Sequence, residues 1–521
     1  MALLFLLAIT ASIGVITYYL FAWTYWYRRG IPGPLGLPFL GCLPQMFNKV
    51  SPAILKIQKW TKKYGRVYGF TEGPSRTLVI SDPELANEVF VKQFDNFNAR
   101  KLNAFQGDPD DEPQTHLFEA RGFRWKRLRN ITSPSFSNSS LRKVMAKIHL
   151  SADELMKHLE DKWKCGKSVD ISKFYQEYTM ELICRVAIGQ IESKMFNNPL
   201  IENIHKLFSS QIPFIFCGTF PHLANFARIA CLVFRKQFGL ESFFEITNLS
   251  TKAINDRIDS RKENEQNGIK YEGPNDFIDL FLDAKVDENL WKNETGSTFS
   301  SKNSTKIEKK LSIDEIVAQC VLFLTAGFDT TSTSLSFVTY FIAKHQDVQE
   351  KLFNEIAENC PNMEFSFDNL AKLKYMECVI DETLRLYPFA TAAYSRKCTN
   401  STKIGNIDIE EGTNILVDVI TMHTDEDIWG PDAKQFNPER FENRKDIPRG
   451  AYIPFGAGPR ICVGMRLSIL EQKLLLAAIL NRYKIKLCEE TEDPIVLEGS
   501  FTAKPRTMVV KLEKRRNETS D

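Results

Sequence analysis

The first 27 residues, MALLFLLAITASIGVITYYLFAWTYWY, carry no charged side chain. As a helix rising about 1.5 Å per residue they reach roughly 40 Å, more than a hydrocarbon core of about 30 Å. A cleaved signal has a basic start and an apolar stretch of about 7 to 15 residues. This segment lacks the basic start, runs longer, and ends in Trp23, Tyr25, Trp26 and Tyr27, residue types that collect at membrane interfaces. Arg28 and Arg29 come at once after it, so the positive-inside rule puts the remainder on the cytosolic side. The expectation is a single-pass anchor over 1–27 and a basic, Pro-rich hinge over 28–44. Its IPGPLGLPFLG run cannot continue a helix and reads as a stiff extended spacer.

The chain beyond the anchor must bury a large core, since 43% of the 521 residues are hydrophobic and 38 are Phe. Lys plus Arg number 67 and Asp plus Glu 65, a net +2 that offers no global field to nucleic acid. Eleven Cys with no CxxC pair fit neither a disulfide framework nor a zinc ribbon.

A hairpin is predicted between Tyr64 and Ile80, turning at Gly73 and Pro74. Helical periodicity covers 84–93, 121–129, 141–163, 170–189, 240–262, 312–345, 347–359, 369–386 and 465–483. The fold class is mainly α with a minor β-sheet region. The polar run 292–310 reads as a solvated loop. Residues 207–227 lack Lys, Arg, Asp and Glu but contain Pro213, Gly218 and Pro221, so they form a helix-loop-helix that touches membrane, covers a pocket or packs in the core.

Several motifs fail. KCGKS at 164–168 has Asp161 where a phosphate loop needs its first Gly, and GAGPRI at 456–461 has Ile461 where a dinucleotide fingerprint needs its third. HExxH and GxSxG are absent.

FGAGPRICVG, residues 455–464, stands just before the helix-forming run MRLSILEQKLLLAAILNRY. It puts Cys462 at a helix N-terminus, where backbone N–H groups and the helix dipole favour thiolate. Gly456, Gly458 and Gly464 allow the backbone close to a large planar ligand. A lone thiolate in such a loop suits porphyrin iron; a buried, inert Cys is the bland alternative. A second signal is the long helix opened by the capping box Ser312/Glu315. Its apolar middle holds Gly327, Asp329, Thr330, Thr331, Ser332, Thr333 and Ser334, poor helix formers where burial asks for Leu or Ala. Gly327 would loosen the ladder, Thr330 hydrogen-bond a bound oxygen or water, and Asp329 relay protons; hydroxyls bonding back to i−4 carbonyls are the structural alternative. A third is Glu382 and Arg385 on one helical face, with Arg440 downstream in FNPERF, able to lock a scaffold by bidentate pairing.

AGFDTT, ETLR, PERF and FGAGPRICVG in this order, behind an anchor and a PGP hinge, closely resemble the membrane-bound microsomal cytochrome P450 enzymes, most of all the animal group with drug-oxidising and steroid-oxidising members. The resemblance runs from residue 1 to about 513, and no essential motif residue departs from the pattern. It implies a haem-thiolate monooxygenase domain over 45–513 and a polar tail over 514–521. It also implies haem b, O2 as co-substrate, electrons from a separate NADPH-dependent cytochrome reductase with cytochrome b5 as a further partner, a small lipophilic substrate, and the endoplasmic reticulum membrane. Cys462 matches the family's iron ligand, Thr330 and Asp329 its distal alcohol and acid, and Glu382, Arg385 and Arg440 its scaffold triad. Phe455, Gly458, Arg460, Trp125, Arg129, Arg100 and Arg396 match haem-contacting positions. Phe105, Phe118, Phe208, Phe214, Phe323, Ala326, Thr391 and Phe501 match pocket positions.

An isomerase or dehydratase of the same fold would dispense with external electrons, and a haem sensor would dispense with the distal pair; both Asp329 and Thr330 are intact here. On RGFRWKRLR, 121–129, the outer face carrying Lys126 and Arg127 is expected to dock an acidic reductase.

Overall fold

The structure is a computed structural model that describes residues 1–47, 51–209, 212–271, 273–284, 310–499 and 502–515. The polar run expected as a loop at 292–310 lies, but for Lys310, outside the described residues, and so does Phe501. Helices of eight residues or more are α1 (Ala2–Trp23), α2 (Ala53–Tyr64), α3 (Gly122–Thr132), α4 (Asn138–Lys164), α5 (Ile171–Ala187), α6 (Pro199–Ser209), α7 (Ile212–Thr219), α8 (Ala224–Val233), α9 (Glu241–Gln266), α10 (Ile313–Lys344), α11 (Gln346–Asn359), α12 (Lys374–Leu386) and α13 (Met465–Arg482). The 369–386 periodicity breaks at Leu373, whose ψ of 78° separates Phe367–Lys372 from α12.

The core is built around α10. Ser312 accepts from the Glu315 N–H and Glu315 reaches back to the Ser312 N–H, so the predicted capping box starts the helix. Leu324, Phe328, Leu335, Phe337 and Val338 are fully buried, with α5, α9, α12 and α13 packed around them. Gly327 does not loosen the ladder, because α10 runs unbroken through it. A Cβ there would come within 2.9 Å of Ile183 Cδ1 on α5, so the glycine serves close helix packing. The hydroxyls of Thr325, Ser332 and Ser336 bond back to carbonyls four residues earlier, which satisfies them inside an apolar helix.

The expected hairpin pairs β1 (Val67–Glu72) with β2 (Ser75–Ile80), in register Val67↔Ile80. A sheet of order β1-β2-β4-β3 is completed by β3 (Ser395–Lys397) and β4 (Asn414–Val417), with β2 and β4 parallel. This sheet carries Arg396 and Lys397.

Around α1 the structure departs from expectation in two ways. Tyr25 and Trp26 are buried in protein and not in a membrane interface, and the Trp26 indole donates to the Phe70 carbonyl at 3.0 Å. Trp26 lies so flat on β1 that any side chain at Gly69 would collide with it. Residues 31–41 do not stand off as a spacer. Gly69 N–H donates to Pro32 O at 2.8 Å, and Gly41 bridges Glu72, so the segment lies along the edge of β1. α1 is, among the described residues, the one helix long and apolar enough to cross a membrane. Its Tyr19 hydroxyl donates to Thr219 O at 2.6 Å, so its end also touches the α7–α8 region.

Candidate active site

The 455–464 loop folds on itself. Phe455 O accepts from the Cys462 N–H at 2.9 Å and Gly458 O from the Ile461 N–H at 3.0 Å. Gly456 and Gly458 sit at φ 75° and 67°, a region that favours glycine. What Gly458 approaches most closely is the Phe90 carbonyl, which a Cβ would strike; that protein contact is the close approach the structure shows at Gly458. Cys462 lies two residues ahead of Gly464, the N-cap of α13. Its thiol is exposed yet enclosed by protein, so it faces the interior of the molecule. Burial pushes the thiol up; the N–H groups of Gly464 and Met465 and the charges of Arg129 and Arg100 pull it back toward thiolate.

Four guanidiniums gather on this side. Arg100 Nη1 donates to Ala393 O at 2.6 Å, Arg396 Nη1 to Ser395 O at 2.8 Å, and Arg460 Nε to Asn98 O at 2.6 Å. Arg460 stacks 4.8 Å above the buried Trp125 ring, and Arg129 stands half-buried on α3. None of the four pairs with a carboxylate among the described residues, while Arg100 Nε and the Arg396 Nε and Nη2 are buried without any partner. Burial, reinforced by their mutual repulsion, pulls Arg396 and Arg460 well below the usual guanidinium value and Arg100 down to about 10. Buried charge is retained where it is paired. Two porphyrin propionates and one thiolate are the anions that would pair it, so these residues fit a haem with Cys462 as axial ligand.

One face of α10 looks the same way. Ala326 is exposed and Thr330 half-buried, although Leu324 and Phe328 beside them are fully buried. The Thr330 hydroxyl donates to Ala326 O at 2.7 Å. Thr331 bonds Ser468 at 3.0 Å and Ser334 donates to Gln472 at 2.6 Å, which pins this stretch of α10 to the helix after Cys462. Asp329 is buried on another face. It accepts from the Thr502 hydroxyl, and Lys504 Nζ stands 3.5 Å from its Oδ1 and 3.4 Å from His205 Nδ1 on α6. Thr502, Lys504 and His205 carry no motif, and periodicity could not have found them.

Glu382, Arg385 and Arg440 lie together. Arg385 grips Glu382 with two bonds, 2.6 and 2.8 Å, both side chains fully buried, and Arg440 Nε lies 3.5 Å from Glu382 Oε1. Arg385 also donates to the carbonyls of His423 and Ala433, each at 2.6 Å, tying α12 to the chain ahead of the Cys loop.

Two expectations fail on packing. Arg127 is buried and pairs with Glu315 at the start of α10, while Arg124 donates to the carbonyls of Pro109 and Glu112; the α3 face expected to be open for docking is largely consumed. Charge reversal at Arg127 would break the core. Phe323 is 5% exposed inside a cluster with Phe136, Phe277 and Phe281, so it is a core residue and not a wall of the pocket. Phe118 lies under Arg100, 4.2 Å from its guanidinium, and Phe208 is half-buried near the end of α6. Phe105 packs on Phe214, and Phe214 and Thr391 line a cavity of about 530 Å³ that reaches Arg100.

Residues 31–512 match a family model described as cytochrome P450. Among similar proteins of Caenorhabditis elegans, that named as cytochrome P450 CYP13A10 is 48% identical over 517 residues, 98% of this chain and 99% of the relative. CYP13A5 is 44% identical over 524 residues, 99% of each chain, and CYP13A1 47% over 508 residues, 96% and 97%. An iron porphyrin with a thiolate ligand is what the Cys462 loop and the guanidiniums without a carboxylate among the described residues ask for, and the family match and the relatives agree: the chain belongs to the cytochrome P450 family of haem-thiolate monooxygenases.

Proposed function

We propose that this protein is a membrane-anchored monooxygenase of the endoplasmic reticulum. It inserts one oxygen atom of O2 into a small lipophilic substrate, with electrons from a separate NADPH-dependent cytochrome reductase and cytochrome b5 as a further partner. Residues 1–27 serve as anchor, 28–44 as the connecting segment, 45–513 as the haem domain and 514–521 as the polar tail. The observation that carries the reading is the set of four guanidiniums without a carboxylate partner among the described residues, Arg100, Arg129, Arg396 and Arg460, around the inward-facing thiol of Cys462.

Bound haem supplies the oxygen activation. The chain's own residues supply the rest. Cys462 would ligate the iron, with the Gly464 and Met465 N–H groups and the charges of Arg129 and Arg100 favouring its thiolate against the burial that pushes the thiol up. Arg100, Arg129, Arg396, Arg460 and Trp125 hold the propionate side, while Phe455 and Gly458 shape the loop below. Thr330 would offer its hydroxyl on the inward face of α10, and Asp329 would relay protons from the Lys504 side. Glu382, Arg385 and Arg440 keep the Cys loop in register with α12.

The test is the ferrous carbon monoxide spectrum of the purified full chain. A strongly red-shifted Soret band is expected, lost in Cys462→Ala, together with NADPH consumption on addition of reductase. A band that survives the substitution would sink the ligand assignment.

A further inference from the structure

Thr331 and Ser334 share one face of α10, and Ser468 and Gln472 share one face of α13. The four side chains close a ring between the two helices. Gln472 Nε2 donates to Ser468 Oγ and to Ser468 O, each at 3.1 Å, and its Oε1 accepts the Ser334 hydroxyl at 2.6 Å. Ser468 Oγ, already accepting from the amide, is left to donate to Thr331 Oγ1 at 3.0 Å. The Thr331 hydroxyl in turn faces the carboxyl of Glu471, which burial pushes up to about 8, so the run of donors ends on an acid that is mostly uncharged at pH 7. Thr331, Ser334, Glu471 and Gln472 are buried and Ser468 is half-buried.

Elsewhere these helices bury leucines, Leu335 on α10 and Leu474, Leu475 and Leu476 on α13. Apolar burial is non-directional, so helices that meet only through such side chains turn against each other by a few degrees at little cost. A hydrogen bond weakens as it departs from linear. The ring therefore fixes the rotation of α10 about its own axis relative to α13. Its position shows what that rotation serves. Ser468 N–H donates to the carbonyl of Gly464 at 2.9 Å, and the Gly464 N–H lies at the Cys462 thiol, so on α13 the ring begins one turn from that thiol. On α10 it grips the residue next to Thr330, whose own hydroxyl rests only on the Ala326 carbonyl.

We propose that Gln472 and Ser468 are positioning residues for the Thr330 hydroxyl: through Ser334 and Thr331 they hold α10 turned so that Thr330 faces the space into which Cys462 looks. This rests on the haem-thiolate reading of Cys462 and adds to it a control of how well reduction is coupled to product. A misplacement of about 1 Å at a reacting group costs on the order of 10²-fold.

Gln472→Met tests this, since it nearly keeps the volume and drops all three bonds of the amide. The freed Ser334 and Ser468 hydroxyls can bond back to carbonyls four residues earlier, as Ser332 and Ser336 do, so the helices still fold. Two properties of the haem-loaded full chain are read: product per NADPH, and the infrared C–O stretch of the ferrous carbon monoxide complex, which responds to the polar group facing the bound gas and needs no turnover. With the red-shifted Soret band in place, both should move in the direction of Thr330→Ala, product per NADPH falling at least roughly fivefold. Thr331→Val, isosteric but without the hydroxyl, should do the same, and Thr331→Ser, which keeps it, should hold both near the wild type. A merely structural contact would lower the urea midpoint and leave both properties unmoved. Wild-type coupling and C–O stretch in Gln472→Met and Thr331→Val, or equal shifts in Thr331→Ser and Thr331→Val, would overturn the proposal. If Gln472→Met loses its haem, the Thr331 pair decides. A wild-type chain without the red-shifted band would instead refute the assignment of Cys462, so the two failures are distinct.

Discussion

Lys504 and Asp329, 175 residues apart, form an ion pair of 3.5 Å between the C-terminal strand region and the middle of α10. Thr502 holds the second carboxylate oxygen. The acid that the sequence marks for proton transfer is thereby anchored away from the Thr330 hydroxyl. In the proposed role of Asp329 as proton relay, Lys504 is its positioning residue. Lys504→Met should slow turnover in the same direction as Asp329→Asn, by a factor that approaches the 10² to 10⁴ typical of a general acid, and Lys504→Arg should restore most of it. Steady-state product formation with KM compared beside kcat checks this, since a substrate-binding role would move KM alone.

Thr330 calls for a different outcome. Its hydroxyl rests on the Ala326 carbonyl, so its removal disturbs no tertiary contact. Thr330→Ala should keep the carbon monoxide spectrum and continue to consume NADPH, while product per NADPH falls and hydrogen peroxide rises. Full coupling on several substrates would return this hydroxyl to the helix-satisfying role of Ser332 and Ser336.

The Glu382–Arg385 pair has no exposed surface. Removing one partner leaves the other charged and buried, which costs about 3–5 kcal/mol. Glu382→Ala should therefore lower the urea midpoint and the haem content together. Arg385→Lys should fail nearly as badly, because an ammonium cannot hold the carboxylate bidentately and still reach the carbonyls of His423, Ala433 and Gln435.

His423 gives a pH signature. Its Nδ1 donates to Arg385 O at 3.2 Å and its Nε2 accepts the Ile453 N–H at 3.0 Å, a pairing only the neutral ring can make. Burial, with the Arg385 charge, pushes the imidazole down to about 3. Unfolded, it titrates near about 6.5. Below that pH the unfolded chain takes up a proton that the folded chain refuses, so stability falls as pH drops from about 6.5 toward 3, by about 1.4 kcal/mol per unit for this group. Urea midpoints between pH 7 and 5.5 should decline less steeply in His423→Asn, whose amide can still donate to the Arg385 carbonyl.

The segment that follows α1 is mechanically joined to the domain through Trp26 and β1. Gly69→Ala should expel the indole, leave haem content intact and speed tryptic cleavage at Arg28 and Arg29. Equal cleavage rates in the two proteins would show that Trp26 does not hold the segment.

Most of the helical skeleton was legible in the sequence, because a helix is a short-range object. The capping box of α10, the hairpin at Gly73 and Pro74, and the Cys462 loop ahead of α13 are each written within a few residues, and each forms as its spacing requires. Glu382 and Arg385 meet because i and i+3 share a helical face. Packing decided the rest. Arg127 turns away from the Trp125 face as 100° steps demand, but the start of α10 with Glu315 occupies the space it turns into. Tyr25 and Trp26 have interface chemistry, and whether lipid or β1 buries them is set by a hinge that folds back along Gly69. Gly327 and Gly458 suggest freedom for the chain and act instead as clearance, for Ile183 and for the Phe90 carbonyl. Lys504 beside Asp329, and Glu315 beneath Arg127, are matters of which distant segments the core brings together. Local periodicity holds no information about them, because a charge on one element acquires its partner only when the hydrophobic surfaces beneath both elements have chosen their neighbours.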